Sequence, residues 1–410
     1  MPQTRRFSTA FKLLSLAALG VYLLLCTREY AAMHLAAQAT DVSLARAARL
    51  EPGSAEIWSH IGRRQLFAQS DTVAAAQTFR RSLTLDPYDS STWLDLAAAE
   101  QISGNFPAAQ HAVVRALEVD RSTPSIHWRA ATYFLSHGDD AAALREIKVA
   151  AEHSRAFIPD AIHVVWNVTH DPQAVMDSLP HTDFAYQETL AYFIGVKELA
   201  AADVAWRHLK HTDAVDDIDT VAPYSELLLV TGEVERAIDV WNAYCAHHSS
   251  SPYCDDSNAL RNGSFEETLL KQGFDWHIYQ TTGMQVGVDF TTAYDGTRSL
   301  RLDYADTALA EAGVYQLVPL RPNTSYRLSG VYKPDALSAL NAPQIVLDDL
   351  QTQRTLVRSP ALEGLEGWRH FSVTFDSGDV RLARLRVLRL PAEGPIHGTL
   401  WLDALRLEKQ

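Results

Sequence analysis

Three cysteines and four methionines in 410 residues, with 36 basic against 50 acidic side chains, narrow what this chain can be. Its bases are too few and too scattered to make a patch for phosphate backbones, so nucleic acid is excluded as a partner. The formal charge of −14 reads instead as a soluble, self-repelling surface. There is no GxSxG elbow, no phosphate-cradling glycine loop and no HExxH, and the cysteines lack a catalytic setting. Histidines such as His60, His111 and His163 are scattered without a paired spacing. Asp348 and Asp349 are poor partners for acid and base work, because neighbouring strand residues point to opposite faces. The chain is therefore expected not to be an enzyme. Its 47% hydrophobic and 21% charged content is that of an ordinary globular protein with room for two or three domains.

A long apolar run occurs once. Arg5, Arg6 and Lys12 precede the uncharged stretch from Leu13 to Cys26, and Arg28 with Glu29 closes it. This is a secretory signal or a single membrane anchor over residues 11–27. The uncleaved anchor is favoured, since the small residues Ala37 and Ala39 lie inside what reads as a continuing helix. The bulky Leu25 before Cys26 departs from a lipoprotein signal. The positive flank then places residues 1–32 as cytoplasmic tip and inner-membrane anchor, single-pass, with the bulk of the chain periplasmic or otherwise extracytoplasmic. Cys245 and Cys254 are close enough in sequence to bridge in an oxidising compartment. Two free thiols, or a metal site with His247, His248, Asp255 and Asp256, are the alternatives, although the spacing matches no common zinc signature.

A period near 34 residues runs through the first half. Trp58, Trp93 and Trp128 stand 35 apart, as do Pro52 and Pro87, and Asp86 and Asp120 stand 34 apart. In the second unit the series Trp93, Leu96, Ala97, Ala109 and Ala116, with the turn Ser103 Gly104 Asn105, resembles the tetratricopeptide repeat. Trp58, Ile61, Gly62, Phe79 and Pro87 fill the same slots before it. Trp128, Ala131, Gly138, Asp139, Leu144 and Ala151 do so after it, without the final proline. The match covers roughly residues 40–153. It decays from Arg155 to Asp219, and returns in Tyr224, Leu228, Gly232, Ala237, Trp241 and Tyr244. Residues 34–248 are thus expected to form an all-α solenoid of five or six helix pairs. The tryptophans are expected to wedge between helices, and the groove to bind a protein partner.

Residues 249–257 read as a polar linker, and beyond them the period becomes two. Segments 299–304, 314–320, 325–333, 343–350, 368–377, 381–390 and 399–408 alternate like strands, which argues for an antiparallel sandwich over residues 258–410. The series NGSFEE (262–267), GFDW (273–276), PNTSYRLSG, Gly367 with Trp368, and LWLDALRL resembles jelly-roll carbohydrate-binding modules. The resemblance implies a first strand opening at Asn262 and pairing with the last, with Phe265 and Trp401 in the core and Trp368 buried. It also implies polysaccharide as ligand, and a structural calcium at Glu266 and Asp403 as the one candidate cofactor. Sugar binding needs exposed rings that lie flat against a pyranose. The candidates are Trp276, Tyr279, Tyr315 and Tyr332, helped by Gln316, His277 and Asp348. Trp276 looks the most architectural, and alternation does not say which face is open. The expected function is a membrane-anchored scaffold of the cell envelope, for example in exopolysaccharide assembly. The alternative is a structural protein-interaction scaffold with no glycan ligand.

Overall fold

The computed structural model describes residues 9–410 except 250, 252, 256, 365 and 366; Arg5, Arg6 and Asp256 thus lie outside the described residues. The described chain divides into two compact units, one ending at Pro180 and the other running His181–Gln410.

The first unit opens with α1 (Thr9–Ala37), whose apolar stretch from Lys12 is long enough to cross a membrane. Its leucines are bare, Leu14 being 71% exposed, whereas Ala32 and Ala36 at its far end are buried against Leu44, Ala47 and Ile57. α2 (Asp41–Leu50) follows behind a Thr40 capping box. Three helical hairpins come next: α3 (Ala55–Phe67) with α4 (Thr72–Leu85), α5 (Ser90–Ile102) with α6 (Phe106–Val119), and α7 (Pro124–Ser136) with α8 (Asp140–His153). Side chains of Ser54, Asp71, Asp89 and Asp139 cap four of these helices. Gly104 and Gly138 stand at positive φ in two of the inter-helix turns, where a Cβ would strain the backbone. Gly62 shows why its slot must be small: a Cβ there would come within 2.5 Å of the Phe79 ring. The period-marking tryptophans act structurally. The indole N–H groups of Trp58 and Trp93 donate to the carbonyls of Pro52 and Pro87, each 2.9 Å away, tying the first two hairpins to the turns that precede them, while Trp128 stacks on Phe157. α9 (Ile158–Thr169) and α10 (Pro172–Asp177) end the unit.

The second unit begins with two more hairpins, α11 (Asp183–Gly195) with α12 (Leu199–Leu209), and α13 (Ile218–Val230) with α14 (Val234–His247). Ten strands follow: β1 (Trp276–Ile278), β2 (Met284–Asp289), β3 (Ser299–Thr307), β4 (Glu311–Pro319), β5 (Ser325–Ala339), β6 (Gln344–Asp349), β7 (Thr355–Arg358), β8 (Arg369–Asp376), β9 (Leu382–Leu388) and β10 (Ile396–Lys409). They form two antiparallel five-stranded sheets: sheet one, ordered β1-β4-β9-β6-β7, and sheet two, ordered β2-β3-β10-β5-β8. Alternate residues of each, such as Val314, Ile345, Leu347 and Leu385 against Leu300, Leu302, Leu328 and Leu400, make one core. A bulge at Ala404, φ 48°, returns Leu405 and Leu407 to that core after Asp403.

The sandwich departs from the expected plan at its start. Residues 262–267 do not form a strand, although the segment does lie along β10: Leu405 N donates to Gly263 O and Ala259 N to Leu407 O. Phe265 reaches the core from there, fully buried. Trp401 is buried as well, 6% exposed, but outside the inter-sheet core: it alternates with Leu400 and Leu402, so it lies on the outer face of sheet two beneath Arg301 and Lys333 and donates to Asp289. Trp368 precedes β8 and is half-buried beside Tyr294, not a core residue.

Helices and sandwich of the second unit are joined directly. Cys245 and Cys254 form a disulfide, Trp241 packs edge-on against Phe274, and Glu226 of α13 accepts from the Gly273 amide at 2.9 Å. These contacts place α13 and α14 in one compact unit with the strands.

Candidate functional site

The outer face of sheet one gathers aromatic and charged groups by register. His277 pairs with Tyr315, Tyr315 with Arg386, Arg386 with Val346 and Val346 with Arg358, giving one row across all five strands. Leu317, Arg384, Asp348 and Thr355 make the next row. The partners of these residues in sequence, Gln316, Leu385 and Leu347, turn away from this face, as a period of two requires. At the β1 end Tyr279 is 41% exposed and its ring lies 6.2 Å from that of Tyr315, which is itself stacked on His277 at 4.5 Å. Burial, then a hydrogen bond to Glu311, pushes the Tyr279 hydroxyl up to about 12, so it stays a donor at any physiological pH. Arg386 donates twice to Asp348 Oδ2, at 2.9 and 2.7 Å, and lies 3.5 Å from Glu311. Thr355 donates to the other Asp348 oxygen at 2.9 Å. Arg384 donates to the neutral Gln353 side chain at 2.9 Å.

Of the four ring candidates, the structure brings two together and removes two. Tyr279 and Tyr315 share the outer face. Trp276 is 1% exposed, packed on Phe265 with its N–H given to Asn262 O, so it offers no ring face to a sugar. Tyr332 is likewise in the core, its hydroxyl donating to Glu363 O. Both fail because the alternation that marks a strand does not distinguish the packed face from the open one. Among the helpers, Gln316 is fully buried and brackets the Arg261 backbone, and Asp348 is consumed by Arg386 and Thr355. His277 keeps its place beneath Tyr315, with Glu226 3.7 Å from its Nε2. Sequence reasoning passed over the arginines. The signal was there in RLRVL (384–388), where Arg384 and Arg386 alternate with core residues, yet only the sheet order puts them beside the tyrosines.

Glu266 and Asp403 converge on one loop, between β2 and β3, but their oxygens meet donors. Glu266 accepts from the amides of Thr297 and Arg298, both 2.8 Å, and from the Thr297 hydroxyl at 2.9 Å. Asp403 accepts from the amides of Tyr294, Asp295 and Ala404. A calcium site needs six or more oxygens turned inward, and here N–H groups occupy that role, so the arrangement does not fit the ion. Burial raises the Glu266 carboxyl, but the Thr297 and Arg298 amides outweigh it and hold the group below its ordinary range; for Asp403, burial outweighs the three amides and the pKa is raised. Among the described residues no three His, Cys, Asp or Glu side chains cluster as a metal site, and the bridged Cys245 and Cys254 are not available to one.

Fold and site together define an array of helical hairpins followed by an antiparallel β-sandwich of two five-stranded sheets, one of which carries aromatic and charged groups on its outer face. The sequence matches no protein-family model, and no curated protein is significantly similar to it. Among solved structures, the chain is similar to the CBM22-1 xylan-binding domain of Paenibacillus barcinonensis Xyn10C, at 20% identity and TM-score 0.27, over 36% of this chain and 91% of that one. It is also similar to a CBM4 structure, at 16% identity and TM-score 0.30, over 37% and 99%. Pseudomonas aeruginosa PilF is matched over 47% of this chain and 75% of its own, at 14% identity and TM-score 0.23.

Proposed function

We propose that this chain is a membrane-anchored, extracytoplasmic binding protein without catalytic activity, whose sandwich holds a polysaccharide on the outer face of sheet one. The observation that carries the reading is the convergence of Tyr279, Tyr315 and His277 with Arg384, Arg386 and Glu311 on that face. It supplies an apolar ring surface beside fixed hydrogen-bonding groups, the combination a pyranose requires. Export is supported by the disulfide, which belongs to an oxidising compartment, and anchoring by the bare leucines of α1, which lipid would cover. Retention of α1 is supported by Ala32 and Ala36: cleavage near Ala37 or Ala39 would strip two core residues from the first hairpins. The hairpins would recruit a protein partner. Half-exposed Arg63 and Arg129 flank the buried Asp95 across α3, α5 and α7, a polar ladder suited to an extended peptide. Such a protein would serve cell-envelope or exopolysaccharide assembly.

Affinity electrophoresis of the full chain in neutral detergent, through gels cast with different polysaccharides, tests the glycan reading. Retention on at least one, weakened by Tyr279→Ala, is expected. A second reading, in which the sandwich only caps the helices, is favoured by the Cys245, Trp241 and Glu226 attachments. Free migration of a folded chain on every polysaccharide would select it.

A further inference from the structure

The groups left open on the outer face of sheet one indicate which glycan suits it, an inference that rests on the glycan reading. Three guanidiniums lie there, on Arg358, Arg384 and Arg386, against two carboxylates, on Glu311 and Asp348. Both carboxylates are engaged, Glu311 by Arg386 and Tyr279 and Asp348 by Arg386 and Thr355, and Arg386 is fixed between them. Arg384 has no acidic partner within ion-pair distance among the described residues; its one hydrogen bond goes to neutral Gln353, and its Nε is buried with no partner at all. Arg358, on the edge strand, is exposed and has no acidic partner within ion-pair distance among the described residues. Glu226 borders the tyrosine end, but the Gly273 amide and His277 hold it.

Counting Glu226 at the border, three guanidiniums meet three carboxylates, but all three carboxylates are engaged while Arg384 and Arg358 keep donors with no acidic partner among the described residues, in a chain of net charge −14. A neutral polysaccharide asks for acceptors as well as donors, since every hydroxyl donates, and the one buried acceptor here, Asp348, is saturated. A carboxylate asks only for donors, and its planar pair of oxygens matches the guanidinium fork. We infer that the sheet-one face takes an acidic glycan, with a uronic-acid carboxylate received by Arg384 while Tyr279 stacks on a neighbouring sugar ring.

The test uses the full chain in neutral detergent, with polygalacturonate, a neutral glucan and dextran sulfate as probes in affinity electrophoresis. Tightest retention on polygalacturonate is expected, weakening as salt rises from about 50 to about 500 mM because the attraction is screened. Arg384→Gln should lose about tenfold or more in affinity, the scale of one charge-assisted hydrogen bond, and Arg384→Lys, which keeps the charge without the fork, should fall between. A thermal melt confirms that each variant is folded. Equal retention on the glucan, or an unchanged Arg384→Gln, would overturn the acidic assignment and leave the glycan reading standing. Dextran sulfate held as tightly as polygalacturonate would reduce it to general anion attraction. Migration unhindered by all three would overturn the inference and the glycan reading together.

Discussion

Asp275 is a buried acid in the segment that leads from the helices into β1, and replacing it with asparagine should stabilise the protein at alkaline pH. One carboxylate oxygen accepts from the Leu270 amide at 2.6 Å, and the other is buried without a partner. Burial pushes the carboxyl from 3.8 up to about 7, against the pull of the Leu270 and Trp276 amides. Between those values the native state holds a proton that the unfolded chain has lost, so stability is full below about pH 4 and falls as pH rises towards 7. The difference of about 3 pKa units, at 1.36 kcal/mol each, is about 4 kcal/mol by pH 8 and about 1.5 kcal/mol at pH 5. Asparagine is a near-isostere of the neutral acid and keeps the acceptor for Leu270. Asp275→Asn should therefore gain about 4 kcal/mol at pH 8 and markedly less at pH 5. Because a chain of two units need not unfold in one step, the assay is native-state hydrogen exchange of peptides covering residues 268–278, at both pH values. Equal destabilisation at both would show that the carboxylate is charged in the native state, and would refute the reasoning.

Three further outcomes follow from packing and covalent geometry. Gly62→Ala drives a methyl into Phe79 and should cost about 1–3 kcal/mol, read as a lowered unfolding midpoint of the first unit. Glu266→Gln should lower the melting temperature of the second unit by removing charge-assisted bonds worth about 1–3 kcal/mol, whereas a calcium chelator should leave the wild-type melt unchanged; a melt raised by added calcium would contradict the amide-clamped loop. Converting both Cys245 and Cys254 to serine opens a loop of nine-residue separation and should cost about 2.5 kcal/mol, detectable as faster proteolysis between α14 and β1.

The architecture was legible where a period is long and its residues are specific. The tryptophans and small residues of the hairpins α3 to α8 announced their register, because each fills a slot that packing defines. All seven alternating segments became strands. The three strands not foreseen are short or interrupted: β1 has three residues, β7 four, and β2 carries Gly287 in its middle. The segment at Asn262 does lie along β10, but through the Asn258 side chain and a single amide given to Gly263 O rather than a ladder, while the Asn262 side chain closes a local turn onto Glu267. The site was half legible. Tyr279 and Tyr315 could be proposed as residue types, while the exclusion of Trp276 and Tyr332, and the entry of Arg384 and Arg386, depend on sheet order and on which face is packed. Neither is encoded locally.

The claim at the centre of this account is that ligand lands on the outer face of sheet one. Hydroxyl-radical footprinting of the full chain, with and without saturating acidic polysaccharide, reads it directly. Protection of Tyr279 and Tyr315 is expected, with Tyr294 and Trp368 unchanged. Protection of Tyr294 and Trp368 instead, or no protected ring under conditions where the polysaccharide is bound, would contradict it.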